Sequence, residues 1–378
     1  MLGVAVGWEL YTLTGRALDL GLVGLAQFVP MVVLTLVVGQ VADRCDRRLI
    51  VALCEGLKAV AAATLALAAI GGWQSKASIL GLVALLGAAQ AFENPAMTAL
   101  VPDVVPRPLI ARAVAWVISA GQTAQIVGPA LGGFLYLVGP GPTYFTAAGL
   151  FVTAGALAAL IRAARTSRPR EPLALDTVFS GVAFIRGRRV LLASMSLDLF
   201  AVLLGGGATA LMPVYARDIL GTGPGGLGLL RSAPAVGALA TSVLLAQRPL
   251  GWGIGRTLFR SVLAFGVATV VFGISRSFAL SLVALTALGA ADVVSMVIRS
   301  SLVQIRTPSE MRGRVSAVHS LFTGTSNQLG AFEAGVVAAL VGTVPAVLIG
   351  GLGTIAVAVL WMLLFPELRR LRGFEEDA

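Results

Sequence analysis

The chain has one histidine, two cysteines and two lysines among 378 residues. Cys45 and Cys54 offer neither a disulfide framework nor metal-ligand spacing. With His319 as the sole histidine and no clustered ligands, no metal site is expected. No Gly-x-x-x-x-Gly-Lys-Ser/Thr loop is present, so nothing in the chain cradles ATP. Gly-x-Ser-x-Gly is missing too, and with it the simplest reason to expect an enzyme. No cofactor is implied. Charged residues make up only 12%, about half the share of a soluble domain. Strict period-two alternation is absent, which argues against a membrane β-barrel.

Apolar residues fill the space. They make up 57% of the chain, and the mean hydropathy is +0.91. Runs of roughly 20 apolar residues, the length that crosses a bilayer as a helix, recur to the C-terminus. The expected fold is all-α and integral to the membrane. The runs fall at about 1–13, 19–42, 49–70, 77–101, 113–137, 142–163, 190–216, 222–247, 257–275, 277–303, 315–340 and 343–365. Twelve spans is the natural count. At ~1.5 Å per residue the first is too short to cross, so the chain is expected to start inside its first helix, N-terminally truncated.

Arginine sets the topology. Arginines are 26 of the 28 basic residues, and 20 basic residues fall in alternate loops and the C-terminal tail. The other loops hold Arg16, Lys76, Arg217 and Arg276. Basic loops stay in the cytoplasm, which puts both termini there and accounts for the net charge of +10 without nucleic acid. The expected location is the cytoplasmic membrane of a prokaryote, crossed many times by a monomer. The longest polar stretch divides the chain into an N-terminal bundle (1–163), a cytoplasmic linker (164–189) and a C-terminal bundle (190–378). Within the linker, Leu173 to Ile185 has the pattern of an amphipathic helix lying on the membrane surface.

The halves repeat. A shift of 202 residues carries Pro106 onto Pro308, Arg112 onto Arg314, Gly128 onto Gly330 and Gly133 onto Gly335, and sets Gln90 on Asp292. Internal repeats are the usual construction of transporter folds.

Ionisable residues inside spans cost ~2.5–3.5 kcal/mol each on insertion scales and so mark function or pairing. Asp198, Arg231 and Asp292 lie deepest in the C-terminal half, and Glu93 and Glu333 also lie inside spans. Asp198 and Asp292 are the expected proton carriers, with Arg231 as counter-ion; the alternative for Asp198 is a static ion pair. Lys58, Arg260 and Arg299 are expected to snorkel. His319 reads as an interfacial polar residue or a proton relay.

Two motifs carry a family resemblance. Gly39-Gln-Val-Ala-Asp43-Arg44-Cys-Asp46-Arg47-Arg48 resembles the loop 2–3 signature of the major facilitator superfamily, with Asp46 where a glycine is usual. Gly128-Pro129-Ala-Leu-Gly132-Gly133 resembles that superfamily's exporter motif, with Ala115 and Ala124 where further glycines would stand. Met311-Arg-Gly-Arg-Val-Ser-Ala-Val-His319, Gly226-Leu-Gly-Leu-Leu-Arg231-Ser-Ala-Pro234 and Ser196-Leu-Asp198-Leu-Phe are similar to the enterobactin-exporter-like branch.

The resemblance implies two six-helix bundles and alternating access. It implies a cytoplasmic latch of Gly39, Asp43, Arg44, Arg47 and Arg48 against span 11, near Arg312 and Arg314. It implies a cavity presenting Trp8, Glu9, Tyr11, Gln90, Glu93, Asn94, Gln122, Gln125, Tyr215, Asn327 and Gln328. The function implied is export of a small molecule, a siderophore or drug-like compound, against proton entry. The alternatives are an importer running as a proton symporter, and a transport-dead receptor or scaffold of the same fold.

Overall fold

The computed structural model describes residues 1–106, 109–161, 175–247 and 253–374. Within these, only the backbone is described for 35–44, 99, 101–103, 111, 115, 118, 175–179, 309–310 and 317. The described residues contain helices and no strand. In chain order the helices are α1 (Leu2–Thr14), α2 (Ala17–Arg44), α3 (Arg47–Gly71), α4 (Lys76–Val104), α5 (Ile110–Tyr136) and α6 (Pro140–Leu160). Then come α7 (Leu175–Arg186), α8 (Arg189–Gly205), the short α9 (Met212–Val214), α10 (Gly223–Gln247), α11 (Ile254–Ile274) and α12 (Phe278–Arg306). The chain closes with α13 (Ser309–Val341), α14 (Thr343–Leu364) and α15 (Pro366–Arg370). α8 and α9, joined by a 3₁₀ turn and prolonged by a π turn over Tyr215–Ile219, make one span.

Among the described residues, nine helical segments are long and apolar enough to cross a membrane. α1, with 13 residues, is not one of them. The span ends follow local chemistry. Gly15 and Gly72 close α1 and α3 at φ 63 and 69, a left-handed conformation that only glycine adopts without strain. Asp46 caps α3, accepting from Arg48 N at 3.0 Å. The departure from glycine at that motif position thus has a use: Asp46 also binds the Arg48 side chain, whose Nη1 donates to the Ile161 carbonyl at 2.7 Å.

The chain divides into two compact units. The first is Met1–Gly15, Leu25–Ala174 and Gly223–Gly228; the second is Arg16–Gly24, Leu175–Thr222 and Leu229–Ala378. In the first, α3 packs on α6 and α4. Its interior is small residues such as Ala61, Ala62, Ala66 and Ala147, while Leu53 and Val60 face outward. Lipid supplies no hydrophobic drive between helices, so small residues at contacts are what let helices meet. In the second, α11 packs on α12 and α14, around Leu197, Leu258, Phe259, Ile298 and Leu302.

The amphipathic helix of the linker forms as α7, but it belongs to the second unit. Gly181 lies so close to α13 that a Cβ there would stand 2.9 Å from Val318. Ile185 joins Val315 and Val318 in one apolar cluster. Its apolar face therefore covers protein, not the membrane surface alone. Residues 164–174 of the expected linker lie outside the described residues.

Candidate functional site

The second unit holds the most concentrated polar cluster. Arg299 Nη1 on α12 stands 2.6 Å from Asp198 Oδ1 on α8, with side chains only 5% and 4% exposed. The same Nη1 donates to Ser295 Oγ at 2.8 Å, and Thr323 Oγ1 on α13 donates weakly to Asp198 Oδ2 at 3.4 Å. Asp292 is the third charged member. With Ser295 and Arg299 it lines a cavity of about 10 Å³, bounded further by Ala201, Val202, Val262 and Phe265. That is room for about one water molecule. Asp292 is partly accessible and makes no ion pair or hydrogen bond among the described residues, yet it feels the charges of both Arg299 and Asp198. His319 feels the same two charges.

Two carboxylates thus lie near one guanidinium, which pairs with Asp198 alone. The expected counter-ion, Arg231 on α10, is not that guanidinium. Arg299, expected to snorkel, is buried against Asp198, and Arg231 has no ionic or hydrogen-bonding partner among the described residues. The signal was legible: Asp292, Ser295 and Arg299 recur at i, i+3 and i+7, one face of a helix.

In the first unit Lys58 also departs from expectation. Its Nζ lies 2.8 Å from Glu55 Oε1 and 2.6 Å from Glu93 Oε2, and 4.8 Å from the centre of the Phe151 ring. A snorkelling lysine would carry its ammonium to water; this one is drawn inward by two carboxylates. Glu93, expected in a substrate cavity, is therefore an ion-pair partner between α3 and α4. The i, i+3 spacing of Glu55 and Lys58 was the available sign.

Glu9 is likewise engaged. Tyr144 Oη donates to Glu9 Oε2, and the Gln74 amide reaches the same carboxylate. Glu9 is 8% exposed and Tyr144 fully buried, so this acid ties α1 to α6. Tyr215 is another correction. It is fully buried, its hydroxyl donating to the Gly273 carbonyl at 2.9 Å and its ring 4.4 Å from Phe272.

The remaining expected cavity residues differ in exposure. Gln90, Asn94, Gln125 and Asn327 are exposed, and Trp8, Gln122 and Gln328 partly so. Asn327 Nδ2 donates to the Thr323 carbonyl at 2.9 Å. Tyr11 is buried.

Of the expected latch, Gly39, Asp43 and Arg44 lie in α2 where side chains are outside the described residues. Arg47 and Arg312 stand at the starts of α3 and α13. Arg314 donates to Ser180 Oγ on α7 at 3.4 Å.

The glycine motif of α5 shows what each glycine meets. A Cβ on Gly132 would stand 2.6 Å from Met1 Cα, and one on Gly133 would stand 2.5 Å from the Pro224 carbonyl and 2.8 Å from Gly228 Cα. The repeat-matched Gly335 does the same in the second unit, where its Cβ would stand 2.6 Å from Gly21 Cα. Close crossing at glycine pairs is the physical content of the motif.

Comparisons with known proteins agree with this architecture. A family model described as "transmembrane secretion effector" matches residues 1–376. The enterobactin exporter EntS of Citrobacter koseri is 27% identical over 396 residues, covering 98% of this chain and 89% of that protein. The EntS of Shigella boydii serotype 18 is 28% identical over 402 residues, with the same coverage. Among solved structures, the nucleoside transporter NupG superposes with a TM-score of 0.73 at 14% identity, covering 97% of this chain and 94% of that one. An inward-facing, occupied bacterial homologue of the human lysosomal transporter Spinster gives 0.67 at 14% identity, covering 97% of each chain. At these identities the two structures speak for the fold alone.

Proposed function

Because the chain belongs to the transmembrane secretion effector family of the major facilitator superfamily, we propose that it exports a siderophore-class small molecule in exchange for protons. Its standing as a multi-pass transporter and not an enzyme follows from the family match and the helices. Direction, substrate and coupling are the proposed part. The relatives named enterobactin exporters and the glycine-proline motif of α5 support export.

Coupling rests on one observation: Asp292 and Asp198 both lie in the field of Arg299, and only Asp198 is paired with it. In a low-dielectric interior two ionised carboxylates and one guanidinium leave an uncompensated charge. A proton on the unpaired acid removes it. Asp292 lines a water-sized cavity and has no partner among the described residues, so it is the acid open to exchange; Asp198 is held by Arg299. Proton loss from Asp292 would draw Arg299 toward it along α12 and loosen the Asp198 contact between α8 and α12. A two-state contact of this kind is what alternating access requires of its coupling site.

Respiring everted membrane vesicles test the direction. Their lumen corresponds to the outside of the cell and is acidic. Enterobactin should accumulate in the lumen only when the full chain is present and the gradient intact. Accumulation confined to right-side-out vesicles would identify an importer, and binding without movement would identify a receptor.

A further inference from the structure

The correction at Arg231 leaves a charge unexplained. With Asp198 neutralised by Arg299, no carboxylate, hydrogen-bond acceptor or aromatic face partners Arg231 among the described residues. It sits eight residues inside α10, roughly 12 Å from that end at 1.5 Å per residue, too deep for its head to reach the surface there. Yet it is partly accessible. The contrast with Arg299 is informative: Arg299 Nε is sealed off and lacks an acceptor, while no nitrogen of Arg231 is sealed off. The guanidinium is therefore not sealed within the protein.

The backbone beyond it is fixed. One turn later, Pro234 packs against Gly289 so closely that a Cβ on that glycine would overlap the Pro234 carbonyl. Helix packing thus pins α10 one turn beyond an arginine that no described protein group compensates.

We propose that Arg231 is the anion-recognition residue of the transporter, and that its partner is an acidic oxygen group on the exported molecule, a catecholate or carboxylate. The proposal rests on the siderophore-export reading above and narrows it to substrates bearing such a group. A guanidinium presents parallel N–H donors that match two adjacent oxygens bidentately. Its fixed charge does not depend on pH, so it can hold an anion while Asp292 exchanges its proton. Lysine keeps the charge and loses the fork.

The test is binding by the purified full chain to enterobactin and to its O-methylated form, which cannot present an anionic oxygen. Wild type should bind enterobactin at least tenfold more tightly than the methylated form. Arg231→Gln should bind the two alike, and Arg231→Lys, which keeps the charge without the fork, should show a preference clearly below that of wild type. Thermal unfolding of each variant checks folding, and Arg231→Lys carries the test if Arg231→Gln unfolds. Two results overturn the proposal with export left standing. One is an unchanged preference in Arg231→Gln. The other is equal loss of both compounds in a folded Arg231→Gln, which would make the residue structural. If wild type binds neither compound, the siderophore reading itself fails and takes the proposal with it.

Discussion

Arg299 and Asp292 lie seven residues apart on α12, and of the two only Arg299 has an ionic partner among the described residues, Asp198 on α8. The unpaired acid faces a cavity and the paired one does not stand free. That asymmetry separates two roles that the sequence alone left merged.

Loss of Arg299 should therefore harm stability, and loss of Asp292 should not. Arg299→Gln strands a buried carboxylate, a change that costs about 3–5 kcal/mol in buried pairs. Adding Asp198→Asn should recover much of that loss. Thermal unfolding of the single and double variants in detergent checks both statements; additive destabilisation would show that the two residues do not act as a pair.

The Lys58 triad should behave as a structural tie. Lys58→Met leaves Glu55 and Glu93 facing each other without a cation, and should destabilise by about 3–5 kcal/mol. Glu93→Gln leaves Lys58 with Glu55, 2.8 Å away, and should cost distinctly less. The ordering of the two midpoints is the observable.

Tyr144→Phe removes a donor from the Glu9 carboxylate. Hydrogen bonds to charged groups contribute about 1.5–3 kcal/mol, so a drop of that size is expected in denaturation, with the substrate preference unchanged. A lost preference would return Glu9 to the ligand site.

Gly133→Ala places a methyl 2.5 Å from the Pro224 carbonyl. Backbone must move, so export should fall severalfold. Gly121→Ala in the same helix, where a Cβ meets nothing within 4 Å, is the matched control and should transport normally. Equal activity of the two would remove the crossing at α5 from the mechanism.

The span pattern, the repeat and the superfamily were legible because they depend on composition and spacing. Gly133 and Gly335, matched by the 202-residue shift, each lie against a second glycine. Pairing across helices was not legible. Depth along a span says how costly a charge is, but its partner depends on helix rotation and neighbours, which hydropathy does not encode. Hence Asp198 was matched with Arg231 when Arg299 holds it, and Lys58 was expected to snorkel when Glu55 and Glu93 draw it inward. Spacing within single helices, Asp292 to Arg299 and Glu55 to Lys58, carried part of the answer.

The central claim is that substrate leaves in exchange for a proton carried at Asp292. The most direct measurement is simultaneous recording of proton and enterobactin flux in proteoliposomes under an imposed pH gradient. Wild type should move the two in opposite directions, and Asp292→Asn should abolish pH-driven flux while still binding enterobactin. Undiminished gradient-driven transport by Asp292→Asn would contradict the account.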